Sequence, residues 1–199
     1  GLIPAYTKYT YTFSGINFVY KLFIFMVYTG LCVYYMRDEI KKVYNKIKDK
    51  YIYKDMKNTY LKYGVKDKII FDCNGGKSYA GNPKVISELL HKQCRRYEIV
   101  WLFKNPEEKS KIVPEYVRCV KIGTKQAYRE MATARVWVFN GLVRQSVYKG
   151  RKQVYIQTWH GDRGFKKILL DLKKRKDIVE SNICDLMLVG STFGEKVCR

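Results

Sequence analysis

The chain has 199 residues, of which 47% are hydrophobic, with 39 Lys and Arg against 18 Asp and Glu for a net charge of +21. That apolar content suffices for one packed α/β domain with an appendage and excludes wholesale disorder. The charge excess points to an anionic partner (nucleic acid, anionic lipid head groups or a phosphorylated substrate) or to a lysine-rich solvated surface.

The first 66 residues differ from the rest. Ile16 to Met36 is apolar and aromatic apart from Asn17, Lys21, Thr29 and Gly30, and Leu22 to Met36 carries no charge. Such a run reaches the lower end of what can span a bilayer. Arg37, Lys41, Lys42, Lys46, Lys48 and Lys50 follow it and would face the cytoplasm by the positive-inside rule. Three readings stay open: a spanning or re-entrant anchor, an interfacial segment held by tyrosines and lysines, and a buried helix pair of a soluble protein. A cleaved signal peptide fits poorly, because the charge lies after the apolar run. The expectation is a helical, membrane-associating segment with a basic linker over residues 1–66 and an α/β domain over 67–199.

From Lys66 onward, strand and helix patterns alternate. Lys68 to Cys73 reads as a buried strand ending at Asn74-Gly75-Gly76, a loop signal. Asn82-Pro83 offers an N-cap and a first-turn proline for a helix through Val85, Ile86, Leu89, Leu90 and Cys94. Tyr97 to Phe103 is the second strand, closed by Asn105-Pro106, and Val117 to Ile122 is the third. Thr124 can cap a helix holding Ala127, Met131 and Ala132. Arg135 to Asn140 and Val154 to Trp159 are further strands. Phe165, Ile168, Leu169, Leu172 and Val179 mark a helix, and Asp185 to Val189 is a sixth strand. This alternation predicts an α/β fold, a Rossmann-like parallel sheet with helices on both faces.

Six cysteines, at 32, 73, 94, 119, 184 and 198, form no C-x-x-C pair, and there are two histidines in all, which argues against a zinc site. Cys73, Cys119 and Cys184 lie in apolar runs, as reduced thiols do in a cytoplasmic protein. The chain begins with Gly1 and stops at Cys198-Arg199, just after a pattern that opens a helix. The expectation is part of a longer protein.

Ligands of open parallel sheets sit beyond the carboxyl ends of strands, and two such junctions carry chemistry. At Asn74-Gly75-Gly76-Lys77, paired glycines let a backbone approach a ligand, and Lys77 can meet a phosphate. An ordinary βα loop has the same composition, and neither Walker nor G-x-G-x-x-G spacing is present. The second junction is Gln157-Thr158-Trp159-His160-Gly161-Asp162-Arg163. A histidine there can take a proton from a hydroxyl nucleophile, although a lone histidine is more often structural. Arg163, Lys166 and Lys167 can hold phosphate oxygens and lower the histidine pKa. Asp162 fits either helix capping or orientation of His160.

Tyr155 to Gly161, followed by Lys166-Lys167-Ile168, resembles the signature of the CDP-glycerol glycerophosphotransferases, which build teichoic-acid-type polymers in bacteria. Asn82-Pro83-Lys84, Tyr97 to Trp101, Lys104 to Glu108 and Ala132-Thr133-Ala134 match in the order that family shows, so the resemblance covers Asp67 to Lys196. It implies the first, acceptor-side domain of a GT-B-like transferase, with the domain that binds most of the CDP-glycerol lying outside this sequence. It also implies His160 as catalytic base, with Gly161, Asp162, Arg163, Lys166, Lys167, Asn74, Gly75 and Lys77 as candidates for substrate binding. The partners it implies are a nucleotide-activated polyol donor, a lipid-linked polymer acceptor and an anionic membrane surface at the cytoplasmic face, with no nucleic acid. No resident cofactor or metal-ligand set is legible; Mg²⁺ held largely by substrate phosphates is compatible with the sequence. Better-known members continue Thr-Pro-Leu-Lys after the His-Gly pair, where this chain has Asp162-Arg163-Gly164-Phe165, so the acceptor contacts do not carry over. The alternative functions are a catalytically incomplete fragment that binds acceptor or membrane, and a basic nucleic-acid-binding module.

Overall fold

The computed structural model describes residues 3–143, 147–159, 183–192 and 195, with the side chains of the first helix described from Asn17 onward. The chain forms two compact units, Gly1–Lys48 and Asp49–Arg199. Helix α1 (Ile3–Tyr63) contributes to both.

In the first unit no described side chain is buried. Phe18, Phe23, Phe25, Tyr28, Leu31 and Tyr35 point outward around the whole circumference, each 50% to 75% exposed. An 18-residue window in this helix has a mean hydropathy of 1.5, so length and composition suffice to cross a membrane. Thr29 returns its hydroxyl to the carbonyls of Phe25 (2.8 Å) and Met26 (2.9 Å), which satisfies its one polar group within the helix. The described residues of the run lie in one helix and not in a helix pair.

The second unit opens with the last turns of α1, where Ile52 and Met56 are buried. Gly64, at φ +64°, ends the helix and donates its N–H to the Tyr60 carbonyl at 2.8 Å, the left-handed stop that glycine permits. There follow β1 (Lys66–Asp72), α2 (Gly81–Gln93), β2 (Glu98–Phe103), α3 (Pro106–Lys109), β3 (Val117–Lys121), α4 (Lys125–Thr133), β4 (Ala134–Phe139), β5 (Val154–Gln157) and β6 (Leu186–Met187). All pairings are parallel and the sheet order is β3-β2-β1-β4-β5-β6.

Strand alternation sorts the core into two layers. Ile69, Phe71, Ile99, Trp101 and Phe103 face Ile86 and Leu90 of α2. Ile70, Val100, Leu102, Trp137 and Phe139 face Ala127, Tyr128 and Met131 of α4, with Ile52 and Met56 of α1 in the same layer. Helices therefore cover both faces, as the alternating pattern predicts. Thr124 caps α4, its hydroxyl accepting the Ala127 N–H at 3.2 Å.

Two local expectations change. Asn82 is not the cap of α2: Ala80 precedes that helix with extended backbone and no side-chain cap, while the Asn82 amide is committed to the Thr158 carbonyl (3.2 Å). The sixth strand is shorter than Asp185 to Val189. Asp185 sits just outside it, and its carboxylate accepts the Tyr155 N–H (2.6 Å) and pairs with Lys149.

At the amino ends of the strands, Lys68 is buried in the apolar sheet and paired with Glu130. It also donates to Thr133 at 2.8 Å, and Arg118 joins Glu130 to Glu98. Burial opposes ionisation of Glu130, yet Arg118 and Lys68 hold its carboxyl below the ordinary range.

Candidate functional site at the sheet switch point

The chain moves from β1 outward to β2 and β3, then crosses back to β4 on the other side of β1. The crevice between the carboxyl ends of β1 and β4 is the topological switch point, where open parallel sheets bind ligands. Three segments meet there: the loop after β1, the end of β4 at Asn140, and the end of β5 at Gln157-Thr158-Trp159.

The loop after β1 is wound tightly. Asn74, Gly75 and Gly76 have φ values of +54°, +64° and +77°. Such a run turns successive N–H groups inward, making a concave anion receptor. Here the anion is internal. Asp72, the last residue of β1, accepts the Gly76 N–H at 2.5 Å, and the amides of Gly75 and Cys73 also reach its carboxylate. Burial pushes the Asp72 acid up to about 6, with the three amides acting in opposition. The loop is tied outward too. Lys104 donates its N–H to the Gly76 carbonyl at 2.8 Å, and a Cβ on Gly76 would lie 2.9 Å from the Lys104 nitrogen.

This arrangement bears on Asn74, Gly75 and Lys77. The loop amides serve Asp72, so contact with a ligand at this lip falls to side chains. Asn74 and Lys77 are exposed, and the Asn74 amide lies 3.1 Å from the Ser78 hydroxyl. Asn140 fixes the loop to β4, accepting the Asn74 N–H at 2.8 Å and donating to the Cys73 sulfur at 3.1 Å. A cavity of about 340 Å³ adjoins, lined by Leu102, Ile122, Tyr128, Met131 and Phe139 with Asp72 and Lys104.

The end of β5 is held on every side. Buried Gln157 donates to the Gly141 carbonyl (3.0 Å) and lies 2.9 Å from the Tyr155 hydroxyl, and its side-chain oxygen accepts the Trp159 N–H (3.0 Å). Thr158 donates its N–H (2.7 Å) and its hydroxyl (3.2 Å) to the Phe139 carbonyl. Trp159 has φ +51°, an uncommon conformation for a bulky residue and one that clusters at functional sites. His160, Gly161, Asp162, Arg163, Lys166 and Lys167 lie outside the described residues, as does the helix expected from Phe165 to Val179. The residue that carries the chain to His160 is thus fixed in a strained conformation at the crevice.

Asp72 and Asn140 were not singled out from the sequence, and Gln157 entered only as the first residue of the second junction, without a role of its own. The signal available was a polar residue at the carboxyl end of an apolar strand, and all three fit it.

A family profile described as CDP-Glycerol:Poly(glycerophosphate) glycerophosphotransferase matches residues 50–199. The teichoic acid poly(glycerol phosphate) polymerase of Staphylococcus epidermidis is 36% identical over 105 residues, 53% of this chain and 14% of that one. The protein of the same description from Bacillus spizizenii is 32% identical over 147 residues, 66% of this chain and 36% of that one. Among solved structures, a variant of the wall teichoic acid polymerase TagF superposes with a TM-score of 0.58 at 26% identity, covering 81% of this chain and 43% of that one. A variant of TagF soaked with CDPG gives 0.59 at 25% identity, covering 81% and 42%. The chain spans less than half the length of each of these relatives.

Proposed function

The chain belongs to the CDP-glycerol:poly(glycerophosphate) glycerophosphotransferase family, and we propose that it carries the acceptor-side half of such a transferase. The complete protein moves glycerol phosphate, or a related polyol phosphate, from a CDP-linked donor to a hydroxyl on a membrane-held acceptor. Residues 67–199 form the GT-B-like half-site, and residues 1–66 hold it at the cytoplasmic face of the membrane.

In this reading His160 is the general base. It takes the proton of the acceptor hydroxyl as that oxygen attacks the donor's β-phosphorus, and the bond to the leaving oxygen breaks to release CMP. Arg163, Lys166 and Lys167 offset negative charge on the transferring group, Gly161 and Asp162 border it, and Asn74, Gly75 and Lys77 form the opposite lip. The observation that carries the reading is the clamped end of β5. Gln157 and Thr158 tie the end of β5 to the switch point and Gln157 holds Trp159, the residue that precedes in sequence the histidine of the family signature. The self-filled loop after β1 supports an acceptor role for this half, since its amides already serve a carboxylate and not a donor phosphate.

The full-length protein, given CDP-glycerol and acceptor-bearing membranes, should release CMP only when acceptor is present. Absence of acceptor-dependent release, together with salt-sensitive binding to random DNA, would replace this reading with a nucleic-acid-binding one.

A further inference from the structure

We infer that residues 33–47 are an interaction surface for a second copy of this chain, pairing in parallel as a short two-stranded coiled coil. Val33, Met36, Ile40, Val43 and Ile47 follow the alternating three-and-four spacing of a coiled-coil seam, and Tyr44 flanks it. Each of the six is 57% to 66% exposed. The rest of the helix surface from 37 to 48 is polar: Arg37, Asp38, Glu39, Lys41, Lys42, Asn45, Lys46 and Lys48. A single apolar stripe on an otherwise charged helix demands a cover. The same rhythm runs back through Val19, Leu22, Met26 and Thr29, but nearly every neighbour there is apolar too, so the selection is legible only from Val33 onward.

The chemistry fits a second copy. Val33, Ile40 and Ile47 fill the first seam position with the β-branched residues found there in parallel two-stranded coils, and Met36 and Val43 fill the second. In a parallel pair Glu39 of one helix faces Tyr44 of the other, and Arg37 faces Cys32, so no like charges meet beside the seam. Lys42 engages Glu39 within its own helix at 2.5 Å. Covering six such side chains on each copy buries roughly 1,000 Å² in total, at the lower edge of specific interfaces. Two chains held on one membrane meet at a raised effective concentration, which makes that area sufficient.

Site-directed disulfide crosslinking of the full-length protein in membrane vesicles tests this. Ile40→Cys, Val43→Cys and Ile47→Cys should form dimers several-fold more readily than Lys41→Cys, Asn45→Cys and Lys48→Cys, each judged against the unsubstituted chain. Equal crosslinking at all six positions, or none above that background, would overturn the pairing. Protection of the stripe by lipid-borne quenchers without crosslinking would assign it to the membrane surface instead. Flotation of the same variants with vesicles reports membrane attachment separately, so loss of pairing and loss of anchoring are distinguishable.

Discussion

Replacing Asp72 by Asn should stabilise the α/β unit at neutral pH and slightly destabilise it in acid. The carboxyl is buried at the end of β1, and its acid is raised from 3.8 to about 6. A folded pKa above the unfolded one means that the native state favours the proton. The associated stability is fully present below about pH 4 and is lost as pH rises through about 6. Two units correspond to about 3 kcal/mol held against the ionised form at pH 7. Asn keeps an oxygen for the Gly76 N–H but brings an amide group whose own donors need partners, which returns about 1 kcal/mol. Asp72→Asn should therefore gain roughly 2 kcal/mol at pH 7, and the difference should fall through zero as the pH drops, leaving the variant about 1 kcal/mol less stable below about pH 4. Urea unfolding at several pH values, followed through the buried Trp101 and Trp137, measures the difference directly. A variant less stable than the parent at pH 7, or a difference that does not change with pH, would refute the assignment of Asp72 as a buried anion filling its own loop.

Further substitutions follow from the same unit. Gly76→Ala should destabilise by well over 1 kcal/mol, because it adds a Cβ against backbone at a left-handed φ. Gly75→Ala has a similar φ but nothing within 4 Å of the added carbon, so it should cost clearly less in the same unfolding assay. Glu130→Gln strips buried Lys68 of its ion partner and should cost roughly 3 kcal/mol, whereas Lys68→Met paired with Glu130→Gln should recover most of it. Thermal unfolding of the single and double variants checks that order.

The strands were legible because apolar runs such as Ile69 to Phe71 and Ile99 to Phe103 are short, continuous and followed within a few residues by Asn, Gly or Pro. Thr124 was legible as a cap for the same local reason. What depended on strand order was hidden. Asn140 bonds Asn74, 66 positions earlier, and Asn82 bonds Thr158, 76 positions later; neither pairing has a local signature. Ile52 and Met56 were obscured by the neighbouring Tyr51, Tyr53, Tyr60 and Tyr63, which spread apolar area around the last turns of α1, so no stripe marked the two as core. The four-residue α3 was too short to leave a periodic signal. At the candidate site, the family signature identified the segment around His160, while the anchoring roles of Gln157 and Asp72 emerged only from the fold.

The central claim is that His160 removes the proton of the acceptor hydroxyl. Its most direct test is the rate of acceptor-dependent CMP release by full-length protein carrying His160→Ala, with the fold verified by circular dichroism. Loss of a general base predicts a fall of about 10² to 10⁴ in kcat, with little change in KM for the donor. A correctly folded variant that releases CMP at a near-normal rate would contradict the account.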